Sequence, residues 1–292
     1  MKILLFFIIL LFLLFTYLII KLKKGKNLSS SLSLFIIILF IIVFAFIFDN
    51  RKTGNIAEAV ERLKNIIHSP IVQTNSFLED NFNMSIIKME ETVLINAEVI
   101  SQMPELPRGC EVTSLAMLLN YSGVDVDKMT LAKKIEKDPT PYREENGKIY
   151  FGNPNDGFVG DMYTFENPGL GVYHSPIKQL AEIYLPNRIK DLTGSDFQEL
   201  KIHLSDRRPV WVIINTAYKK LPAEYFETWY TKKGKIKITY KEHSVLITGY
   251  DSQYVYFNDP LTGEKNQKAP LKDFEQAWIQ MGRQAITYLP KK

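Results

Sequence analysis

The chain has 292 residues, of which 46% are hydrophobic, 12% aromatic and 23% charged. Its first 52 residues hold seven Lys or Arg against one acid, so a net charge of +4 for the whole leaves −2 for residues 53–292. The greater part of the chain therefore lacks the cationic surface that neutralises phosphates, which excludes nucleic acid as a partner, and the single cysteine, Cys110, excludes an intramolecular disulfide.

Residues 3–20 carry no charge, and residues 32–48 form a second, nearly pure apolar run. Each approaches the roughly 20 residues that a helix needs to cross about 30 Å of hydrocarbon. No small-x-small cleavage site follows the first run, so it reads as a span rather than a removed leader. Residues 1–52 are thus expected to form a two-span transmembrane hairpin with the lipid bilayer as its partner. The loop between the runs holds Lys21, Lys23, Lys24 and Lys26, whereas only Lys2 precedes the first. Short lysine-rich loops stay cytoplasmic, which predicts a cell-membrane protein whose domain after residue 48 is extracellular. In residues 53–94, Ile56, Val60, Leu63, Ile66 and Ile67 share one helical face, while Glu58, Glu61, Arg62 and Lys64 lie elsewhere. This is the pattern of a juxtamembrane amphipathic helix, with a linker after it.

Residues 95–292 form the main domain. From Cys110 onward Val112, Leu115, Ala116, Leu118 and Leu119 recur at helical spacing until Gly123, and the prolines and glycine before Cys110 block an earlier start. Cys110 should therefore open a helix, where free backbone amides and the dipole favour the thiolate that attacks a carbonyl. A lone cysteine is more often inert core, so this placement needs a base nearby. His243 opens the apolar run of residues 244–250, read as a strand, and residues 254–258 after a short turn read as its hairpin partner. The hairpin places His243 near Asn258 and Asp259, either of which could orient the imidazole in a Cys-His-orienter triad.

The segments Leu106-Pro-Arg-Gly-Cys-Glu-Val-Thr-Ser-Leu-Ala-Met-Leu-Leu-Asn-Tyr121, Gly157-Phe-Val-Gly-Asp161, Gly171-Val-Tyr-His-Ser-Pro176, His243-Ser-Val-Leu-Ile-Thr-Gly-Tyr250 and Tyr256-Phe-Asn-Asp-Pro-Leu261 together resemble the C39-like, papain-related cysteine peptidase domains of Gram-positive bacteria. The resemblance covers about residues 95–290 and implies Cys110 as nucleophile, His243 as general base and Asp259 as its orienter. Gln102 matches a glutamine that donates to the oxyanion in papain-like enzymes, although eight positions separate it from Cys110, a longer gap than in the C39 processing domains. No Gly-x-x-x-x-Gly-Lys-Ser/Thr occurs, so export of double-glycine leader peptides does not carry over.

Other motifs are weaker. The absence of His-Glu-x-x-His, of a cysteine pair and of a close histidine pair gives no support for catalytic metal, and no cofactor is expected. Residues 153–157 read as an Asx-rich turn rather than a calcium loop. The glycines at 169 and 171 suggest a cleft wall, with Asp161, Tyr163, Tyr173 and His174 lining substrate subsites. Residues 209–215 and 284–289 read as central strands and the alternating residues 235–240 as an edge strand. The expected architecture is an α+β, papain-like cysteine peptidase fold in which the cysteine helix packs on an antiparallel sheet bearing the histidine. The expected reaction is hydrolysis of a peptide or protein substrate. The competing readings are a Cys-His amidase or endopeptidase acting on cell-wall peptide, and a catalytically silent peptide-binding module.

Overall fold

The computed structural model describes residues 89–291. The expected hairpin in residues 1–52 and nearly all of the juxtamembrane segment 53–94 lie outside the described residues. Among the described residues no helix is long and apolar enough to cross a membrane.

One antiparallel sheet carries the domain. Strands β6 (Ile189–Asp191), β7 (Val210–Asn215), β10 (Glu242–Tyr250), β11 (Tyr254–Asp259), β12 (Glu264–Pro270) and β13 (Ala285–Tyr288) follow the order β12-β11-β10-β7-β13-β6. The short β1 (Val93–Leu94) pairs with Tyr250 and Gly249, beyond the stretch of β10 that pairs with β7. β7 and β10 are buried along their whole length, and their runs of β-branched and aliphatic residues suit positions covered on both faces. The apolar runs read as strands in the sequence are these, and the expected hairpin is β10–β11.

Helix α1 (Cys110–Tyr121) packs across β10 and β7. It stops at Gly123, whose φ of 91° is a left-handed conformation that side chains other than glycine's resist. The Trp211 indole N–H donates to the Glu111 carbonyl at 3.0 Å, which fixes the face of β7 that looks at α1. Residues paired across neighbouring strands share a face. The register Leu246↔Trp211, Ser244↔Ile213 and Glu242↔Asn215 therefore puts Glu242 and Ser244 on the α1 face and His243 on the opposite one. That opposite face is covered by α4 (Phe197–Ser205) and α5 (Leu271–Gln280), through Phe197, Phe274 and Trp278, with Phe257 of β11 stacked on Phe274 at 5.3 Å between ring centres. Helices α2 (Lys128–Lys134) and α3 (His174–Tyr184) pack beside α1.

A second sheet joins β3 (Arg143–Glu145), β4 (Lys148–Tyr150), β8 (Glu227–Thr231) and β9 (Gly234–Ile238) in the order β3-β4-β8-β9, around a separate core of Phe151, Trp229, Leu170 and Ile238. β9, which overlaps residues 235–238 of the stretch read as an edge strand, is an edge of this sheet. A pair of two-residue strands, β2 (Lys137–Asp138) and β5 (Phe158–Val159), completes the set. The residue 153–157 segment is an Asx turn, with Asn155 N–H donating to Asn153 Oδ1 at 3.0 Å.

Trp211 is fully buried and is the contact that seats α1 on the sheet. Trp211→Ala should destabilise the domain by about 3–5 kcal/mol, measured as a lower denaturant midpoint. An unchanged midpoint would show that α1 is held by other contacts.

Candidate active site

The start of α1 meets the start of β10. Cys110 is the first residue of α1, and its thiol donates to Glu111 Oε2 at 3.3 Å. The Ser244 amide of β10 lies on the side of the sulfur and favours its ionised form, and the Ser244 carbonyl accepts the Ser114 hydroxyl of α1 at 3.1 Å. Glu111 Oε1 accepts the Val172 amide at 2.6 Å, so both oxygens of this carboxylate are engaged as acceptors. Glu242, the first residue of β10, completes a cluster: one ligating atom each from Cys110, Glu111 and Glu242 lies within 4.8 Å of the others. Its Oε1 is buried with no hydrogen-bond partner. Gly171 covers this cluster so closely that a Cβ there would stand 2.1 Å from Glu111 Oε1 and 2.9 Å from Glu242 Oε2, which explains why the loop carries glycine at this point.

Electrostatics follow from burial. Burial and the neighbouring Glu111 charge push the Glu242 carboxyl well above its ordinary range, and burial raises Glu111 as well, against the opposing amide of Val172. Two like charges at this separation in a dry site do not both ionise, so one carboxyl keeps its proton near neutrality. Burial, then the charges of Glu111 and Glu242, push the Cys110 thiol up, with the Ser244 amide working the other way. This reverses the expectation from helix position alone. The dipole favours thiolate, but it is worth about 1 kcal/mol, too little against two buried acids and desolvation.

On the other face of β10, His243 Nε2 lies 2.8 Å from Asp259 Oδ1. The two side chains are essentially buried, at 2% and 0% exposure. Asp259 Oδ1 also accepts the Leu261 amide at 2.8 Å, and Asp259 Oδ2 accepts the Tyr218 hydroxyl. Burial would raise the Asp259 carboxyl, but the hydrogen bond and charge of His243, helped by Tyr218 and Leu261, outweigh it and hold the group at about 2. Asn258 points the other way, donating to the Ala97 carbonyl at 2.9 Å and accepting the Asn266 amide at 3.0 Å. Of the two candidate orienters, Asp259 is the one beside the imidazole.

The sequence-predicted residues are thus brought together in two sets. His243 and Asp259 are paired, and Cys110 sits one residue along β10, at Ser244, with its thiol bonded to Glu111 rather than to His243. Gln102 is 2% exposed, donates from Nε2 to the Pro107 carbonyl at 2.8 Å, and is tied through its backbone N–H to the Pro260 carbonyl at 2.8 Å. It bridges the segment ahead of Cys110 and the segment after Asp259, and its Oε1 has no partner. The four subsite residues do not line one cleft. Asp161 and Tyr163 border a cavity with Pro139, Tyr142 and Met162, whereas Tyr173 and His174 border another with Phe226, Lys237 and Gln280. Asp161 serves its own loop, accepting Tyr163 N–H and Asn167 Nδ2, and its carbonyl takes Arg108 Nη1 at 3.1 Å, so this loop braces the approach to Cys110. Tyr173 is buried against the acids, where burial and the charges of Glu242 and Glu111 raise its hydroxyl. His174 is bound to Gln284, and His203 is buried in α4.

Glu111, Glu242 and Tyr218 escaped the sequence reading. Glu111 left a signal, a charge at an inward position of an otherwise apolar helix face. Glu242 left a fainter one, an acid just ahead of a mostly apolar run, and Tyr218 none.

Two measurements check these assignments. Alkylation of Cys110 should titrate above the roughly 8.5 of a free thiol, and Glu111→Gln or Glu242→Gln should move the midpoint down; a midpoint below 8.5 in the native protein would refute the acid cluster. The Asp259 carboxyl is depressed on folding, so its stabilisation is present above about pH 4, the unfolded value, and is lost as pH falls through about 2. Acid unfolding of Asp259→Asn should lack that component.

Residues 94–286 match the Peptidase_C39 like family. YvpB of Bacillus subtilis strain 168, an uncharacterized protein, is 50% identical over 183 residues, 63% of this chain and 70% of that protein. A crystal structure described as a C39-like peptidase from Bacillus anthracis is 48% identical, with a TM-score of 0.65, and is covered completely by 70% of this chain. A match of this extent, on a mixed α/β domain with this arrangement of elements, makes the chain a member of the Peptidase_C39 like family.

Proposed function

We propose that the domain is a cysteine peptidase that hydrolyses peptide bonds, with Cys110 as nucleophile, His243 as general base and Asp259 as the group that orients it. The observation that carries the reading is the buried His243–Asp259 pair, one residue along β10 from Glu242, whose carboxylate lies within 4.8 Å of the Cys110 sulfur. Pairing through Nε2 leaves Nδ1 as the nitrogen for the thiol. In this mechanism the Cys110 side chain turns from Glu111 to His243, which takes its proton, and the thiolate attacks the carbonyl carbon. The Cys110 amide, free at the first residue of α1, and the second Nε2 hydrogen of Gln102 stabilise the oxyanion. His243 then protonates the leaving amine, and water, deprotonated by the same imidazole, releases the acyl group. Asp259 keeps the ring in the tautomer with Nε2 protonated.

Cys110→Ser and His243→Ala should each lower kcat/KM by a factor of about 10³ or more, read by mass spectrometry on a peptide mixture. Full activity in Cys110→Ser would overturn the assignment. Turnover of muropeptides in place of linear peptides would select the cell-wall amidase, and no turnover of either with normal peptide binding would select the silent module.

The same proposal places the enzyme at the membrane. Residues 3–20 and 32–48 anchor it in the bilayer and the lysine loop holds their connection in the cytoplasm, so the substrate is extracellular. Protease added to intact, wall-stripped cells should digest residues 89–291; protection until the membrane is broken would reverse the orientation.

A further inference from the structure

The cluster behind the nucleophile holds two carboxylates and a thiol, all nine-tenths buried or more: Glu111 at 0%, Cys110 at 6% and Glu242 at 8% exposure. Among the described residues no Lys, Arg or His side chain is hydrogen-bonded to any of them, and the Glu242 Oε1 has no partner. A buried acidic group without a partner is costly, and proteins keep such groups where they are neutralised or coordinate a cation. The geometry suits the second use. Glu111 is fixed by the Val172 amide on Oε1 at 2.6 Å, which directs Oε2 toward the sulfur at 3.3 Å. An outer hydrogen bond of this kind is what orients a ligating side chain. Zinc binds thiolate sulfur at about 2.3 Å and carboxylate oxygen at about 2.0–2.2 Å, so donors around a tetrahedral ion stand about 3.3–3.7 Å apart. The donors here already lie within 4.8 Å of one another, and the residual exposure of Cys110 and Glu242 is the route of entry.

We propose that Cys110 Sγ, Glu111 Oε2 and Glu242 form a binding site for a divalent transition cation, zinc by the chemistry of a soft sulfur joined to two hard oxygens, and that its occupancy silences the nucleophile. The fourth position belongs to water. On binding, the sulfur–hydrogen bond of Cys110 is exchanged for a sulfur–metal bond and that proton, with any held by the two carboxyls, leaves to solvent; no redox change is involved. The silencing rests on the peptidase reading of Cys110, but the binding does not.

Cobalt(II) tests the binding directly, because thiolate-to-cobalt charge transfer absorbs in the near ultraviolet and Cys110 is the sole cysteine in the chain. Titrating the reduced full-length protein should produce this band at one equivalent. Zinc, higher than cobalt in the affinity order, should bleach it. Cys110→Ser should abolish the band, Glu111→Gln and Glu242→Gln should each weaken cobalt binding about tenfold or more, and His243→Ala should leave it intact. Zinc should also slow alkylation of Cys110 at least tenfold, with recovery on adding a chelator. Absence of the band, its persistence at full affinity in both Gln variants, or its loss in His243→Ala would overturn the site. Far-ultraviolet dichroism of each variant separates a lost ligand from a lost fold. A band in a protein that cleaves no peptide would retain the metal site and remove the peptidase reading; peptide cleavage without a band would do the opposite.

Discussion

Strand β10 is buried on both faces, and the two-residue period of an extended chain forces adjacent side chains into different surroundings. Glu242 and Ser244 go to the α1 face, His243 to the face of α4 and α5. The arrangement of chemical groups in this domain follows from that alternation. The acid cluster and the imidazole occupy adjacent positions at the start of one strand, yet sit in separate polar networks. Antiparallel pairing with β11 then sets the partner of each group: Asp259 falls on the face of His243, and Asn258 on the other, where it secures Ala97 and Asn266.

The two networks differ in how their charge is balanced. The Asp259 carboxylate faces an imidazole, a tyrosine hydroxyl and a backbone amide, so it stays ionised at about 2 despite burial. Glu111 and Glu242 lie beside each other and a thiol, and Glu111 accepts from that thiol and the Val172 amide. The first network is satisfied and rigid, as suits a group that orients a base. The second carries an excess of acid, which holds the Cys110 thiol protonated in the resting protein. A thiol kept neutral is less open to alkylation and oxidation, since both proceed through the thiolate.

The loops ahead of Cys110 serve this placement. Arg108 is held by the carbonyls of Asp161 and Thr164, and Gln102 by those of Pro107 and Pro260. The segment ahead of Cys110 is thereby tied at one end to the residue 161–168 loop and at the other to the chain that follows Asp259. Gly171 completes the enclosure, because a larger residue would strike both carboxylates.

The amino-acid sequence by itself determined the cysteine helix, the β10–β11 hairpin and the two buried strands around it, because each is written in local periodicity: apolar residues at helical spacing after Cys110, and unbroken apolar runs bounded by turn residues. The nearness of His243 to Asp259 was legible for the same reason, since a tight hairpin joins positions only sixteen apart. The convergence of Glu242, Val172 and Gly171 on Cys110 was not, because those residues are 61 to 132 positions beyond the cysteine and no local pattern records which loop closes over a helix end. Burial of the acids decided the protonation of the thiol, overriding the weak dipole that sequence position suggests. Tertiary packing also sent Asp161 and Tyr163 to one cavity and Tyr173 and His174 to another, a separation invisible in residues that stand so close in the chain because distant segments complete each cavity.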